Sequence, residues 1–225
     1  MRRRWGVAVA GGVIALLFLA GAVQAARDPH DPTLRRVAAD QAMANRLVVL
    51  RSDLPMTFKD TGVDTNTSNT CSYDPDFSRY VATGRTDGHS FTRKTNTGVA
   101  AVQSLAIVFR TASDAQAFFR RDAVERRSVH CIVEYFGKDI AQVKMVPTHL
   151  TTEGTRQVVW QMVAKYQHGQ GATLPMVSAA SAIVRGRVVI EIVVIQLGEP
   201  VMSLQTAATM SMNLGQRLNA AKIAA

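Results

Sequence analysis

Four apolar stretches separated by short breaks occupy the second half of the chain, and they constrain the fold most. The stretches are rich in β-branched residues and lie at 140–150, 157–166, 175–184 and 188–197. This composition and spacing predict four strands, and Arg185-Gly186-Arg187 predicts a tight hairpin turn between the last two. Because strands joined by short turns pair antiparallel, this half predicts an antiparallel sheet.

The first half of the chain adds two strands, expected at 89–95 and 99–110. Apolar residues at helical spacing predict three helices, at 33–49, from 111 onward and at 200–222. The segment 59–87 is rich in Thr, Asn, Asp and Ser and is expected to be mostly loop. The predicted fold class is α+β, with a mostly antiparallel sheet of about five to six strands and helices packed on one face.

Capping residues predict where the first two helices begin. Thr33 is expected to cap the first helix, and Thr111, with Asp114 three residues later, is expected to cap the second. The inward side of the first helix would carry Leu34, Val37, Ala38, Gln41, Ala42 and Asn45. The buried stripe of the second would be Ala115, Phe118, Phe119 and Ala123. The opposite side, either an anion-binding or a solvated face, would carry Arg120, Arg121, Arg126 and Arg127.

The first 25 residues have the three parts of a secretory signal peptide. Arg2-Arg3-Arg4 precedes an uncharged run at 5–26, and Val23-Gln24-Ala25 offers the small residues that signal peptidase recognises. The alternative is an uncleaved anchor, because the run is about long enough to span roughly 30 Å of hydrocarbon. Either case predicts export, to a secreted or envelope-associated location, with membrane contact only through an uncleaved leader.

The remaining length suits one domain. Cleavage after Ala25 leaves 200 of the 225 residues, enough for a sizeable core. We therefore expect a signal peptide at 1–25, a short linker at 26–32 and a single α+β sensor-like domain at 33–225. Loss of the leader arginines lowers the formal net charge from +9 to +6. This surplus favours anionic partners or a plainly solvated surface, while export and the scattered charges argue against nucleic acid.

Cys71 and Cys131 are the only cysteines in the sequence. In an exported chain an even cysteine count favours a disulfide. Bridging positions so far apart would stabilise the fold by roughly 4 kcal/mol in the chain-entropy model. The alternative is two buried thiols. His130 adjoins Cys131, but no ligand pair has the short spacing of a metal site, so no metal is expected.

No local motif predicts catalysis or a cofactor. The five histidines are far apart, and the nucleophile elbow, the phosphate-cradling loop and the dinucleotide fingerprint are all missing from the sequence. Glu191 stands out because it interrupts an apolar strand. It lies either on the exposed face or inward, where it would line a ligand site with a raised pKa or a partner such as Arg185 or Arg187. With Arg120 and Arg127, these residues are the candidate ligand or anion contacts.

Several segments in order carry a family resemblance. They are the run at 50–55 after the first helix, Cys71, the strand at 102–109 followed by Ala112-Ser113-Asp114-Ala115, Cys131, the late hairpin and the last helix. This set, over about residues 33 to 222, resembles the extracellular sensor-domain family of actinobacteria named for the outer domain of the mycobacterial kinase PknH. The resemblance implies a ligand-sensing fold with a cleft and identifies neither a ligand nor binding residues.

Three functions are consistent with these observations. The first is a secreted, non-catalytic ligand-binding or sensor-type module of the bacterial cell envelope, holding a small or lipidic ligand between sheet and helices. The second is an envelope interaction protein that docks on anionic polymers or a protein partner through a basic surface. The third, weaker one is a secreted hydrolase with a site assembled from distant residues.

Overall fold

The computed structural model describes residues 32–62, 77–122, 140–152, 155–168, 172–198 and 204–221. The helices in these ranges are α1 (Ala38–Arg46), α2 (Ala112–Asp122) and α3 (Leu204–Ala220), with a 3-10 turn at Arg51–Asp53. The strands are β1 (Thr33–Leu34), β2 (Lys59–Gly62), β3 (Val81–Asp87), β4 (Ser90–Lys94), β5 (Gly98–Phe109), β6 (Ile140–Thr152), β7 (Thr155–His168), β8 (Ala172–Arg185) and β9 (Val188–Gly198). None of the described helices has the length and apolarity to cross a bilayer.

All nine strands join one sheet in the order β1-β3-β5-β9-β8-β7-β6, with β4 also paired to β5 and β2 paired to β4. Every pairing is antiparallel except the short β1–β3 contact. The four strands predicted in the second half of the chain are confirmed as β6 to β9, and each pairs antiparallel with the next. β9 then pairs along β5 from Gly98↔Gly198 to Val108↔Val188. The α+β class is confirmed.

The sheet is larger than the expected count of about five to six strands because β1, β2 and β3 were not predicted. β3 and β4 run one after the other along β5, where Gly88 N–H donates to Ser104 O at 2.8 Å between them. β3 lies inside the segment expected to be loop. β3 contains Gly84 and ends at Asp87, two residue types that are depleted in strands, so pairing with the apolar β5 decides their conformation.

The helices lie on both faces of the sheet, not on one as expected. Ile107 and Val108 are neighbours in β5, so their side chains point to opposite faces. Val108 belongs to the core cluster of α1 and α3, which contains Ala44, Leu47, Val102, Ile190, Ile192, Val194, Met210, Leu214 and Leu218. Ile107 belongs to the cluster of α2, which contains Phe77, Tyr80, Phe109, Ala115, Phe118, Phe119 and Val189. We call these the α1/α3 face and the α2 face.

The start of α2 is confirmed and that of α1 is not. Asp114 N–H donates to Thr111 Oγ1 at 3.0 Å, and Ala115, Phe118 and Phe119 are buried as predicted. Thr33 instead lies in β1, and its hydroxyl donates to Ser78 O at 2.8 Å.

The inward side predicted for α1 is also wrong. Val37 is 48% exposed, whereas the residues of the helix that are buried are Asp40 and Ala44. Asp40 faces inward because its carboxylate binds Arg187 of the β8–β9 turn.

Candidate functional site

Glu191 lies near the middle of β9, in register with Leu105 of β5 and Ala182 of β8. Its side chain is half-buried, and its Oε1 atom is out of contact with solvent. Strand alternation places it on the α2 face, because Val189, two residues earlier, packs in the α2 cluster. The Glu191 side chain therefore lies on the face of the sheet that carries α2.

Half-buried side chains lie beside Glu191 toward β5 and toward the end of β9, whereas Ala182 and Val189 next to it are buried. The intermediate positions are Gln103 and Leu105 in β5 and Glu191, Val193 and Ile195 in β9, and we call these five residues the shelf. Gln103 pairs with Val193 across the two strands, as Leu105 pairs with Glu191. The shelf is thus one continuous patch of apolar surface with a carboxylate and an amide in it.

The cause of the partial exposure is the placement of α2. This helix packs over Ile107, Phe109 and Val189, at one end of the α2 face. Val99 and Leu197 are buried at the other end, so the shelf lies between two closed regions. Of the five shelf residues, Leu105 packs against the α2 cluster, whereas the rest of the shelf belongs to neither described cluster. It can therefore contact a molecule that brings its own apolar surface.

Arg187, a predicted partner of Glu191, binds Asp40 instead. Its Nη1 and Nη2 atoms donate to Asp40 Oδ2 and Oδ1 at 3.1 and 3.2 Å, which is the bidentate geometry of a strong charge-assisted pair. Nη1 also donates to Phe109 O at 3.0 Å, and Phe109 N–H donates to Arg187 O at 2.7 Å. Arg187 therefore fastens the β8–β9 turn to α1 and to the end of β5.

Asp40 is the buried acceptor of this link. Thr83 Oγ1 lies 2.5 Å from Asp40 Oδ2, and the α1 backbone approaches so closely that a Cβ on Gly84 would lie 2.4 Å from Asp40 O. Burial raises the pKa of Asp40, but hydrogen bonds from Arg187 and Thr83 and the charge of Arg187 lower it, and the balance leaves it below the usual 3.8. Asp40 is therefore ionised at neutral pH and acts in structure.

The other candidate contacts are not brought together. Arg185 Nη1 donates to Asn219 at the end of α3. Arg120 is exposed on α2. Arg127, Cys71 and Cys131 lie outside the described residues, as do the leader and nearly all of the linker. Of the five candidate ligand or anion contacts, Glu191 alone is placed on the shelf.

A second polar pair, between His89 and the Asp60 carboxylate, lies at the edge formed by β2 and β4. His89 Nδ1 is 2.7 Å from Asp60 Oδ2, and the two side chains are 54% and 43% exposed. The hydrogen bond from Gly62 N–H lowers the pKa of Asp60 most, burial opposes it, and His89 adds to the lowering. In the described ranges no three His, Cys, Asp or Glu side chains converge to hold a metal ion.

Four exposed arginines lie at one end of the sheet, and we call this set the arginine end. They are Arg35 and Arg36 after β1, Arg79 before β3 and Arg110 after β5. Sequence reasoning missed this grouping because the residues are scattered over the chain. Strand pairing brings the segments of Arg35 and Arg110 to either side of β3.

No protein-family model matches the chain, and no curated protein matches its sequence. The crystal structure of the extracellular domain of PknH from Mycobacterium tuberculosis is similar in part, with 12% identity, a TM-score of 0.42 and coverage of 81% of this chain and 98% of that one. A likeness at this level establishes neither a shared fold nor a shared function.

Proposed function

We propose that this chain is an exported, non-catalytic ligand-binding module of the sensor type in the bacterial cell envelope, and that the shelf is its binding surface. The observation that carries the proposal is the half-buried apolar patch around Glu191 between two closed regions of the α2 face. Apolar surface interrupted by a few polar groups is typical of small-molecule sites. Export rests on the leader-like first 25 residues.

The shelf also indicates the chemistry of the ligand. Leu105, Val193 and Ile195 offer contact to an aliphatic or aromatic body. The Glu191 carboxylate accepts hydrogen bonds and favours a cationic or hydroxyl group over an anionic one. A molecule with an apolar body and an amine or hydroxyl head therefore fits better than a fatty acid.

The first test is native mass spectrometry on the protein purified gently after export, followed by solvent extraction. A stoichiometric extra mass that the extraction removes supports a binding module and gives the class of its ligand. A bare chain contradicts the proposal if the protein also fails to bind amphiphiles in the titration described next.

The titration compares dodecylamine with dodecanoate, two probes with the same tail and opposite head charge. The amine should bind at least about tenfold more tightly, because one favourable charge contact at a half-buried site is worth about 1.4 kcal/mol or more. Glu191→Gln should abolish this preference. Asp60→Asn removes an exposed carboxylate elsewhere and should leave it unchanged. Equal affinities in the wild-type protein would contradict the assignment of Glu191.

A second candidate function is attachment to an anionic component of the envelope. The arginine end favours it, because four exposed cations are grouped at one end of the sheet. Retention of the protein on isolated envelopes should then fall as salt is raised through the range where the Debye length shortens from about 10 to 3 Å. Retention that salt does not change would count against this function.

A further inference from the structure

The arginine end is assembled by hydrogen bonds between neighbouring strands. Arg35 N–H donates to Ala82 O at 2.8 Å on one side of β3, and Arg110 N–H donates to Val81 O at 2.8 Å on the other side. Two strand spacings of about 4.8 Å and a register offset of two residues place the two arginine backbones about 12 Å apart. Arg36 is adjacent to Arg35. One end of the sheet thus carries several guanidinium groups over a small area.

These charges are not neutralised within the described chain. No described carboxylate lies within ion-pair distance of Arg35, Arg36 or Arg110. The nearby Asp40 is held by Arg187, so that pair contributes no net charge. Asp114, in the first turn of α2, is a further carboxylate near this end. Among the described residues at this end, the exposed arginines outnumber this carboxylate.

Two helix starts add to the same potential. α1 begins at Ala38, directly after Arg35-Arg36-Val37, and α2 begins at Ala112, directly after Arg110-Thr111. The amino end of a helix carries about half a positive charge from its aligned peptide dipoles. Both helix starts therefore reinforce the positive field of the arginines.

Arg79 is held in a defined position at this end. Its guanidinium carbon lies 4.9 Å from the centre of the Tyr80 ring, and Nη2 donates to the Tyr80 hydroxyl at 2.8 Å. The Arg79 side chain is therefore partly fixed in position. Arg35, Arg36 and Arg110 have no carboxylate partner among the described residues and can bind an external anion. Guanidinium groups match phosphate oxygens in bidentate geometry.

The short distance along the chain from the apolar run to β1 indicates which phosphate-bearing surface lies near the arginine end. The apolar run ends at residue 26, and β1 begins at Thr33, seven residues later. Seven extended residues span at most about 25 Å. While this run is in the membrane, the arginine end is therefore the part of the domain that stays close to the lipid headgroups.

We propose that the arginine end docks on the anionic phospholipid headgroups of the membrane from which the chain emerges. This inference rests on the second proposed function and is independent of the shelf. Phospholipid is favoured over a cell-wall polymer because a leader that is still attached would bring this end, and not the opposite one at Thr95–Gly98, to the bilayer surface.

The test is co-sedimentation of the exported protein with vesicles. Vesicles of phosphatidylglycerol and phosphatidylcholine are compared with vesicles of phosphatidylcholine alone. Because Arg2-Arg3-Arg4 of a retained leader would also favour anionic vesicles, the contribution of the arginine end is read from the difference between wild type and variants. The wild type should prefer the anionic vesicles, and high salt should remove the preference. Substituting Arg35→Gln, Arg36→Gln and Arg110→Gln together should weaken that preference roughly 100-fold.

The matched control removes three exposed positive charges elsewhere, by Arg46→Gln, Lys59→Gln and Lys94→Gln. It should change the preference by less than about tenfold, because only charges near the surface contribute strongly. A charge-retaining variant with Arg35→Lys, Arg36→Lys and Arg110→Lys should keep most of the binding and guards against misfolding. Equal losses in the two glutamine variants would overturn the proposal.

Envelope retention measured in parallel separates this inference from the function on which it rests. Salt-sensitive retention on envelopes without preference for anionic vesicles would overturn the lipid partner and leave the attachment function standing. Loss of both would overturn both. Preference for anionic vesicles that depends on the three arginines would support both.

Discussion

The two faces of the sheet are built from the same strands but are closed to different degrees. On the α1/α3 face, Ile190, Ile192 and Val194 of β9 are all buried by the packing of two helices. On the α2 face, Val189 packs in the cluster of α2, the helix described there, whereas Val193 is half-buried. The apolar character of β9 is similar on both sides. Among the described elements, helix placement and not strand composition therefore decides which face is closed and which is half-buried.

The largest effect should separate two isoleucines of one strand. Ile192→Ala on the α1/α3 face should lower the free energy of unfolding by about 2 to 5 kcal/mol, because it leaves a cavity in a closed core. Ile195→Ala on the shelf should cost about 1 kcal/mol or less, since solvent or neighbouring groups fill the space. Urea unfolding of both variants checks the difference, and equal costs would contradict the open shelf.

The ion pair between Asp40 of α1 and Arg187 should give the second-largest effect on the free energy of unfolding. Asp40→Asn should cost roughly 2 to 3 kcal/mol, because it leaves Arg187, which is 30% exposed, without its charge partner. Substituting Asp40→Asn and Arg187→Met together should cost less than the single change, since no unpaired charge remains. A double variant as unstable as the sum of its parts would show that the two residues do not act as a pair.

The same link predicts a pH dependence. The pKa of Asp40 is depressed in the folded chain, so its stabilisation is fully present above the usual value of 3.8 and is lost as the pH falls through the lower folded-state pKa. The stability difference between wild type and Asp40→Asn should therefore be constant near neutral pH and narrow below 3.8. Unfolding midpoints across pH 2 to 7 check this, and a pH-independent difference would contradict it.

A neighbouring pair in β5 should give a smaller effect. The buried Val49 N–H donates to Ser104 Oγ at 2.8 Å on the α1/α3 face. Ser104→Ala removes this acceptor and should lower the free energy of unfolding by roughly 1 to 2 kcal/mol. Gln103→Ala on the shelf should change the unfolding free energy by about 0.5 kcal/mol or less. Hydrogen exchange of the Val49 amide gives a local readout, and it should accelerate in the serine variant alone.

The smallest effect is expected where neither face is involved. His89→Ala removes a polar contact with Asp60 whose members are both largely exposed, so it should cost about 0.5 kcal/mol or less. A cost as large as that of Ser104→Ala would mean that the β2–β4 edge is held by this pair, and not by its backbone ladder.

Local patterns made some elements predictable. The strand β5, the capped start of α2 and the β8–β9 hairpin follow from β-branched composition, a Thr111 hydroxyl and a central glycine, all of which act within a few residues. The same reasoning singled out Glu191 as unusual. It could not place the residue, because its surroundings depend on Leu105, which is distant in the chain.

Long-range packing decided the elements that the sequence pattern missed. β3 is a strand because β5 pairs with it, and α1 turns Asp40 inward because Arg187 reaches it from a turn near the other end of the chain. The shelf and the arginine end have the same origin, since strand register brings each set of residues together. By itself the sequence determined the α+β class and most strands, because period and turn chemistry are local. Only the tertiary structure decided which face is open, because helix placement is a sum of distant contacts.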